Sequence, residues 1–183
     1  MAPAGDLVAR VREGDERALE LLFRTHYEAL CDFAARYVRE DALAEELVQD
    51  LFADLWARRA QWRVYGSVRG YLFSAVRNRA LNLRRRQAVE RDWEREEAAD
   101  DSPTLPTFQR EPDRADERLE REDLRARVNA AVESLPERCR LVMHLRWREQ
   151  MPHAEIAAIM GISVKGVEIQ LTRGLKALRA LLT

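Results

Sequence analysis

Residues 55–89 read LWARRAQWRVYGSVRGYLFSAVRNRALNLRRRQAV and contain nine arginines but no aspartate or glutamate, although 34% of the whole chain is charged. Aromatic side chains are spaced among these arginines, namely Trp56, Trp62, Tyr65, Tyr71 and Phe73. Guanidinium groups bind phosphates and flat rings stack on exposed bases, so this composition favours a surface for single-stranded nucleic acid. The alternative is a helix with a solvated basic face whose aromatic side chains fill a core.

A helix is predicted to run through this stretch from Ser67, which is a suitable N-cap. At helical spacing its core stripe consists of Val68, Leu72, Val76 and Leu83. Two outer rows are predicted beside the stripe, one of Arg69, Phe73, Arg77 and Arg84 and one of Ser74, Asn78, Asn82 and Arg86. Arginine and asparagine bind phosphates and base edges. Residues 62–66, which contain the aromatic residues Trp62 and Tyr65, predict a pocket for a base that has left the stack.

Two further amphipathic helices are predicted before this stretch. Asp15 is a suitable N-cap for the first, which follows a short segment at residues 6–12, and Asp41 is a suitable N-cap for the second. The outer face of the second helix is mostly acidic and carries Glu45, Glu46, Gln49, Asp50 and Asp54. Such a face is either a solvated surface or a docking surface for a basic partner.

The C-terminal third predicts a helix-turn-helix. Residues 124–134 form a helix, and Pro136 begins a second helix that runs to about Arg148. A short helix at residues 153–160 follows, Gly161 permits the positive φ of a tight turn, and Ser163 caps the last helix. This spacing is typical of a helix-turn-helix, and a generic αα-hairpin is the alternative.

The last helix has an apolar face and an opposite face suited to DNA. The apolar face consists of Val164, Val167, Leu171, Leu175 and Leu178. The opposite face consists of Lys165, Gly166, Ile169, Thr172, Arg173 and Lys176. An isoleucine directed at solvent suits contact with a thymine methyl in the major groove, and Gly166 allows the backbone to approach DNA closely.

Charge divides the chain into two domains. Residues 1–87 carry a net charge of +2, residues 88–123 carry −8 and residues 124–183 carry +5. The middle segment contains three prolines and little apolar periodicity, which is typical of a linker. We therefore expect an all-α protein with two small helical domains joined by an acidic flexible linker, the C-terminal domain being a helix-turn-helix.

Nothing in the sequence indicates a cofactor, a metal site or a membrane segment. Cys31 and Cys139 lie far apart and lack CxxC or Cys/His spacing, which favours buried free thiols over a disulfide or a metal site. No apolar run is long enough to span a bilayer, and the N-terminus lacks the pattern of a signal peptide. We expect a cytoplasmic protein without membrane insertion.

Three motifs, in order, resemble the extracytoplasmic-function (ECF) type of the sigma-70 family of bacterial RNA polymerase sigma factors. Residues 44–52 (AEELVQDLF) are similar to the polymerase-clamp helix of that family. Residues 72–86 (LFSAVRNRALNLRRR) resemble its minus-10 reader. The third motif, LPER at residues 135–138 with EIAAIMGIS at residues 155–163, resembles its minus-35 reader.

The resemblance implies a protein without a catalytic site that binds core RNA polymerase and recognises and melts promoter DNA. It implies a region 2 domain at residues 1–87, the linker at residues 88–123 and a region 4 domain at residues 124–183. An anti-sigma factor is a further candidate partner.

The resemblance also assigns residues to each surface. The residues for polymerase binding are Glu46, Gln49 and Asp50. Those for the minus-10 element are Trp62, Arg69, Phe73, Arg77, Asn78, Asn82, Arg84, Arg85 and Arg86. Those for the minus-35 element are Ser163, Lys165, Gly166, Glu168, Ile169, Thr172, Arg173 and Lys176. Glu168 stands where a basic residue is common in the family, so the minus-35 sequence is not predicted.

Two other functions are weighed against this one. A stand-alone helix-turn-helix transcriptional regulator would need a ligand or phosphoacceptor domain, which the arginine and aromatic stretch does not resemble. A DNA strand-transferase would use Tyr65 or Tyr71 with arginines, but no acidic cluster has metal-ligand spacing. The flexible linker further predicts that the free protein binds promoter duplex poorly and that polymerase supplies the missing affinity.

Overall fold

The computed structural model describes residues 4–97, 130–132 and 134–182 of the chain. Its N-terminal part consists of four helices. These helices are α1 (Ala4–Arg12), α2 (Glu16–Val38), α3 (Asp41–Ala57) and α4 (Val68–Glu97), with a 3₁₀ turn at Arg59–Gln61. Asp15 caps α2 as predicted, because its carboxylate accepts the backbone N–H groups of Arg17 and Ala18 at 3.0 and 3.3 Å. Glu40, not Asp41, is the N-cap of α3, and its side chain makes no capping bond.

The core of the N-terminal domain lies where α2, α3 and α4 pack together. Fully buried side chains from all three helices meet there, including Leu30, Phe33, Val48, Leu72 and Val76. The predicted stripe of α4 faces this core, except that Leu83 is only partly buried. Burial of these apolar side chains is the main stabilising contribution in a domain of this size.

The C-terminal domain contains the predicted helix-turn-helix. Its helices are α5 (Glu137–Met143), which continues as a π-helical turn at His144–Arg148, α6 (His153–Met160) and α7 (Val164–Leu182). Gly161 ends α6 with φ +62°, and the Oγ atom of Ser163 accepts the backbone N–H of Gly166 at 3.0 Å. Both features are those that the sequence predicted for this turn. No strand occurs in the described residues, which confirms the all-α prediction.

Three details differ from the sequence prediction or lie outside the described residues. α4 continues to Glu97, past the predicted start of the linker at residue 88, because residues 88–97 are mostly good helix formers. Val164 and Leu175, predicted to face inward, are 43% and 50% exposed, whereas Val167 and Leu171 of the same face are buried and Leu178 is partly buried. The rest of the predicted linker and most of the helix at residues 124–134 lie outside the described residues.

Candidate polymerase and promoter interfaces

The acidic side chains of α3 lie beside the polar row of α4. Glu46, Gln49 and Asp50 are exposed, and Gln49 donates a hydrogen bond from Nε2 to the hydroxyl of Tyr27 at 3.3 Å. Glu46 and Asp50 line one side of a groove of about 530 Å³ between α3 and α4. The other side of that groove is lined by α4 residues that include Asn78, Arg79, Asn82 and Arg86. The structure thus brings the predicted polymerase surface and part of the predicted minus-10 surface side by side.

A second cavity, of about 340 Å³, lies beneath the turn that precedes α4. Trp62 and Tyr71 line it, with ring centroids 5.9 Å apart. Trp62 is only 5% exposed, and its Nε1–H group is buried without a hydrogen-bond partner among the described residues. A buried donor of this kind is costly unless a ligand or water satisfies it. Aromatic side chains therefore line the cavity, whereas the indole N–H of Trp62 is itself shielded from solvent.

Arg79 stands between the two cavities and was not among the residues predicted for DNA. It lines both of them and pairs with Asp54 of α3 at 2.5 Å. The hydrogen bond from Arg79 lowers the pKa of Asp54 and keeps that carboxylate charged. The spacing of eight residues from Tyr71 to Arg79 was the available signal, because residues eight apart share a helix face.

The predicted row of Arg69, Phe73, Arg77 and Arg84 is only partly open, because Phe73 is buried and Arg69 and Arg77 are half-buried. Phe73 is 0% exposed, and its ring centroid lies 5.1 Å from that of Phe33. Phe73 therefore belongs to the core and stacks on no base in this conformation. The reason is that α4 is covered by α2 on one side and by α6 on another, so its apolar surface is wider than a single stripe.

The arginines of that row are held by the C-terminal domain. Arg69 pairs with Glu149 and Arg84 pairs with Glu137. Arg77 is half-buried close to Gly161, in the turn of the helix-turn-helix. Arg84 nevertheless remains exposed, as do Asn78, Asn82, Arg85 and Arg86. The minus-10 prediction thus divides into an open part and a covered part.

The predicted minus-35 surface on α7 is open to solvent. Lys165, Glu168, Ile169, Thr172, Arg173 and Lys176 are exposed, and Gly166 is partly exposed. Ile169 is 42% exposed, which is unusual for an isoleucine on a structural helix. Its neighbours are restrained only locally, since Lys165 lies 3.9 Å from Glu168 and Thr172 donates to the carbonyl of Glu168 at 2.9 Å.

His144 occupies the contact between the two domains. Its side chain is buried and stacks on Phe33 with ring centroids 6.0 Å apart. Burial, helped by the positive charges of Arg36 and Arg148, lowers the pKa of His144 to about 3. The Glu149 carboxylate lies 3.6 Å from Nε2 of His144 but is already paired with Arg69. His144 is therefore neutral in this arrangement.

Groups of carboxylate, histidine or cysteine side chains that could hold a metal ion are absent from the part of the chain that the structure describes. Cys139 is buried and Cys31 is partly buried, both as free thiols. Burial raises the pKa of both thiols, which disfavours the reactive thiolate. Within the described ranges, none of the helices is both long and apolar enough to cross a bilayer.

Comparison with family models matches both halves of the chain in order. Residues 22–90 match the model described as sigma-70 region 2, and residues 125–178 match the model described as sigma-70 region 4. The first match contains α3, both cavities and the predicted minus-10 residues. The second contains the helix-turn-helix.

Similar proteins of known name agree with these matches. RNA polymerase sigma factor CarQ of Myxococcus xanthus is 30% identical over 94% of this chain and 94% of its own length. The ECF RNA polymerase sigma-E factor of Escherichia coli K12 is 27% identical over 94% of this chain and 90% of its own length. The solved structure of CnrH in complex with the cytosolic domain of CnrY is similar with a TM-score of 0.66 and 26% identity, covering 98% of this chain and 96% of that one.

Proposed function

The chain belongs to the sigma-70 family of RNA polymerase sigma factors, in its ECF group, and we propose that it binds core RNA polymerase and directs promoter recognition, melting and transcription initiation. The observation that carries the proposal is the position of the acidic face of α3 beside the exposed asparagines and arginines of α4. Polymerase and promoter strand can then be held on adjacent surfaces of one small domain. In this role the protein positions DNA and polymerase and carries out no catalysis itself.

The N-terminal domain supplies two contacts in this proposal. Glu46, Gln49 and Asp50 bind a basic element of core polymerase. The open part of the minus-10 surface binds the separated strand, through the exposed residues Asn78, Asn82, Arg85 and Arg86. The cavity lined by Trp62 and Tyr71, of about 340 Å³, accepts one unstacked base beside these rings in this proposal.

The C-terminal domain places α7 in the major groove of the minus-35 element. Arg173 and Lys176 bind phosphates and position the helix, whereas Lys165 and Ile169 contact base edges. In its solved structure, CnrH is in complex with the cytosolic domain of CnrY. We extend this to the present chain as binding of an anti-sigma factor, with its site of action in the cytoplasm.

Run-off transcription with purified core polymerase on a pool of genomic promoters tests the proposal. The wild-type chain is expected to support specific transcripts. The variant Glu46→Lys with Asp50→Lys is expected to lose core binding and transcription while keeping its fold by circular dichroism. Glu13→Lys with Glu28→Lys is the matched control, because both carboxylates are exposed away from α3, Glu13 in the turn after α1 and Glu28 on α2. Normal core binding by the first variant would place the polymerase surface elsewhere.

The stand-alone regulator is distinguished by binding to one promoter duplex at fixed salt. If the free protein binds that duplex as tightly and selectively as the polymerase complex does, the protein acts without polymerase and the proposal is wrong. A strand-cleavage assay on the same duplex tests the strand-transferase alternative.

A further inference from the structure

Asp54 is an unusual residue to find in a cavity that accepts a nucleic-acid base. The cavity of about 340 Å³ has one carboxylate among its lining residues, that of Asp54, beside the three arginines Arg58, Arg63 and Arg79. Asp54 is also the last acidic residue before the acid-free stretch at residues 55–89. A carboxylate repels the phosphates of a nucleic acid. Its presence here therefore needs a reason other than binding of the DNA backbone.

Stability of the fold does not supply that reason. Asp54 of α3 pairs with Arg79 of α4, with Oδ2 and Nη2 at 2.5 Å. The side chain of Asp54 is 55% exposed and that of Arg79 is 33% exposed. Ion pairs as accessible as this one contribute little to folding stability. A ligand in the cavity can, however, reach both side chains from solvent.

The pair has hydrogen-bonding capacity to spare. Nη2 of Arg79 donates to Oδ2 of Asp54, and this bond lowers the pKa of Asp54, so that both carboxylate oxygens are acceptors. A carboxylate can accept several hydrogen bonds and a guanidinium can donate several. The single bond between them leaves Oδ1 of Asp54 and other N–H groups of Arg79 without a partner among the described residues. Acceptors and donors thus stand next to each other in the cavity.

The remaining lining residues suit the other parts of a nucleotide. Tyr71 lines the same cavity eight residues before Arg79, and residues at this spacing share one face of α4. A base that stacks on the ring of Tyr71 therefore lies on the helix face that carries Arg79. Arg58 and Arg63 are exposed, and their charges suit the flanking phosphates. The edge of the base remains for Asp54 and Arg79.

Guanine fits this combination better than the other three bases. Its Watson–Crick edge presents two adjacent donors, N1–H and N2–H, next to the acceptor O6. A carboxylate accepts from both donors while a guanidinium donates to O6. Adenine and cytosine offer a carboxylate a single amino group, and thymine offers it a single ring N–H. Guanine therefore makes the largest number of hydrogen bonds with an aspartate and an arginine.

We infer that Asp54 and Arg79 are specificity-determining residues that read the edge of the unstacked base and select guanine in the separated strand. The inference rests on the proposed function for the entry of a base into the cavity. It adds the identity of that base and the two side chains that recognise it. Asp54 serves in recognition and Arg79 both holds Asp54 in place and contacts the base.

A guanine probe and an inosine probe test the inference most directly, because the base of inosine lacks only the 2-amino group of guanine. The full-length chain, alone and with core polymerase, is titrated into a labelled oligothymidine that carries one guanine in the middle, and fluorescence anisotropy is measured. Matched probes carry inosine, adenine or cytosine at that position. Wild type is expected to bind the guanine probe about tenfold more tightly than the inosine probe. Equal affinity for these two probes, or tighter binding of the cytosine probe, would overturn the inference.

Asp54→Asn should abolish this discrimination. The amide has a similar shape but only one acceptor oxygen and no charge, so the variant is expected to bind the guanine and inosine probes equally. Glu45→Gln is the matched control, because Glu45 is an exposed carboxylate of the same helix that does not line the cavity. It should retain the wild-type ratio. Persistence of the ratio in Asp54→Asn, or its loss in Glu45→Gln, would contradict a reading role for Asp54.

Exchange of the two charges separates recognition from a structural role. Asp54→Arg combined with Arg79→Asp restores an ion pair between α3 and α4 but exchanges the positions of donors and acceptors. Urea denaturation should show wild-type stability, whereas the preference for guanine should be lost. A wild-type preference in the exchanged protein would show that the pair only joins the helices. If the exchange prevents folding, Asp54→Asn still decides the question.

Run-off transcription distinguishes failure of the inference from failure of the proposed function. If the chain supports no transcription with core polymerase but Asp54→Asn abolishes the discrimination between guanine and inosine, the proposed function is wrong and the reading pair is supported. If transcription is normal and the discrimination is absent in wild type, the proposed function is supported and the inference is overturned.

Discussion

The surfaces on α4 and α7 are built from similar residue types but are in different states. On α7, Arg173 and Ile169 are exposed and contact no other element strongly enough to cover them. On α4, Arg69 and Arg84 have glutamates of the other domain as partners. Residue type therefore specifies what a surface can bind, whereas the packing of a second domain determines how much of that surface is exposed.

Substitution of Phe33 should have the largest effect on stability, because Phe33 packs within its own domain and against the other one. Its ring lies 5.1 Å from Phe73 in its own domain and 6.0 Å from His144 in the other, by centroids. Phe33→Ala should reduce the free energy of unfolding by about 3–5 kcal/mol, because it leaves a cavity in a core that contributes to both domains. Urea denaturation measures the loss. Leu21→Ala, at a position that is 49% exposed, is the control and should change stability little.

Acid should weaken the packing around His144 at the contact between the two domains. Its pKa is about 3 in the folded protein against 6.5 for an ordinary histidine, so the unfolded chain binds the proton first as the pH falls. The contribution of neutral His144 to the free energy of unfolding is unchanged above pH 6.5 and is lost between pH 6.5 and 3, at roughly 1.4 kcal/mol per pH unit. Glu149, Arg36 and Arg148 are the charged groups around it.

Urea denaturation at pH 7 and pH 5 measures this dependence. His144→Phe retains a ring against Phe33 and removes the titrating group, so it should lose less stability on acidification than wild type. An identical loss in both proteins would assign the pH dependence to other groups, among them His26, whose pKa burial also lowers.

Single arginine substitutions on the two helices should affect DNA binding differently. In the free protein, Arg173→Ala removes a phosphate contact and should reduce the slope of log affinity against log salt by about 0.9 on duplex DNA. Arg69→Ala removes a proposed DNA contact and also the partner of the buried Glu149, so it should weaken binding to a single-stranded oligonucleotide and also reduce the free energy of unfolding. A loss of affinity without a loss of stability would contradict the pairing of Arg69 with Glu149.

The smallest effect is expected at Ile169. Its side chain contacts one base pair in the proposal, so Ile169→Ala should reduce discrimination at that pair by on the order of 1 kcal/mol and leave non-specific binding unchanged. Competition between promoter duplexes that differ at single minus-35 positions measures it, with polymerase present. A uniform loss across all sequences would indicate that Ile169 does not contact a base.

The helix-turn-helix was predictable because its determinants are local. The positive φ of Gly161 and the cap by Ser163 depend on residues within a few positions, and the structure contains both. Phe73 was assigned to an outer row because periodicity places it next to the core stripe, and periodicity cannot tell how many neighbours cover a helix. α4 has neighbours on more than one side, so Phe73 is buried beside the core stripe, although Arg69 and Arg77 are only half-buried and Arg84 is exposed.

The contacts between the domains were not predictable for a different reason. Glu149 follows Arg69 by 80 positions, and no local pattern joins them. The isolated glycine at position 70 was a signal, since a glycine within a helical pattern often marks a close approach of another element. The helical continuation to Glu97 was missed because the acidic composition of residues 88–97 was read as linker, although those residues have good helix propensity.

Gly70 also affects the mobility of α4. While α6 lies against it, the first turn of α4 is held by the hydroxyl of Ser67, which accepts the backbone N–H of Gly70 at 2.9 Å and bonds to Glu155. When α6 leaves, that turn retains a glycine and loses its neighbour, so its amide protons should exchange with solvent faster than those of the rest of the helix. Tyr71 and the cavity of Trp62 adjoin this turn. Loss of the α6 contact would therefore leave one wall of the Trp62 cavity less restrained than the rest of α4.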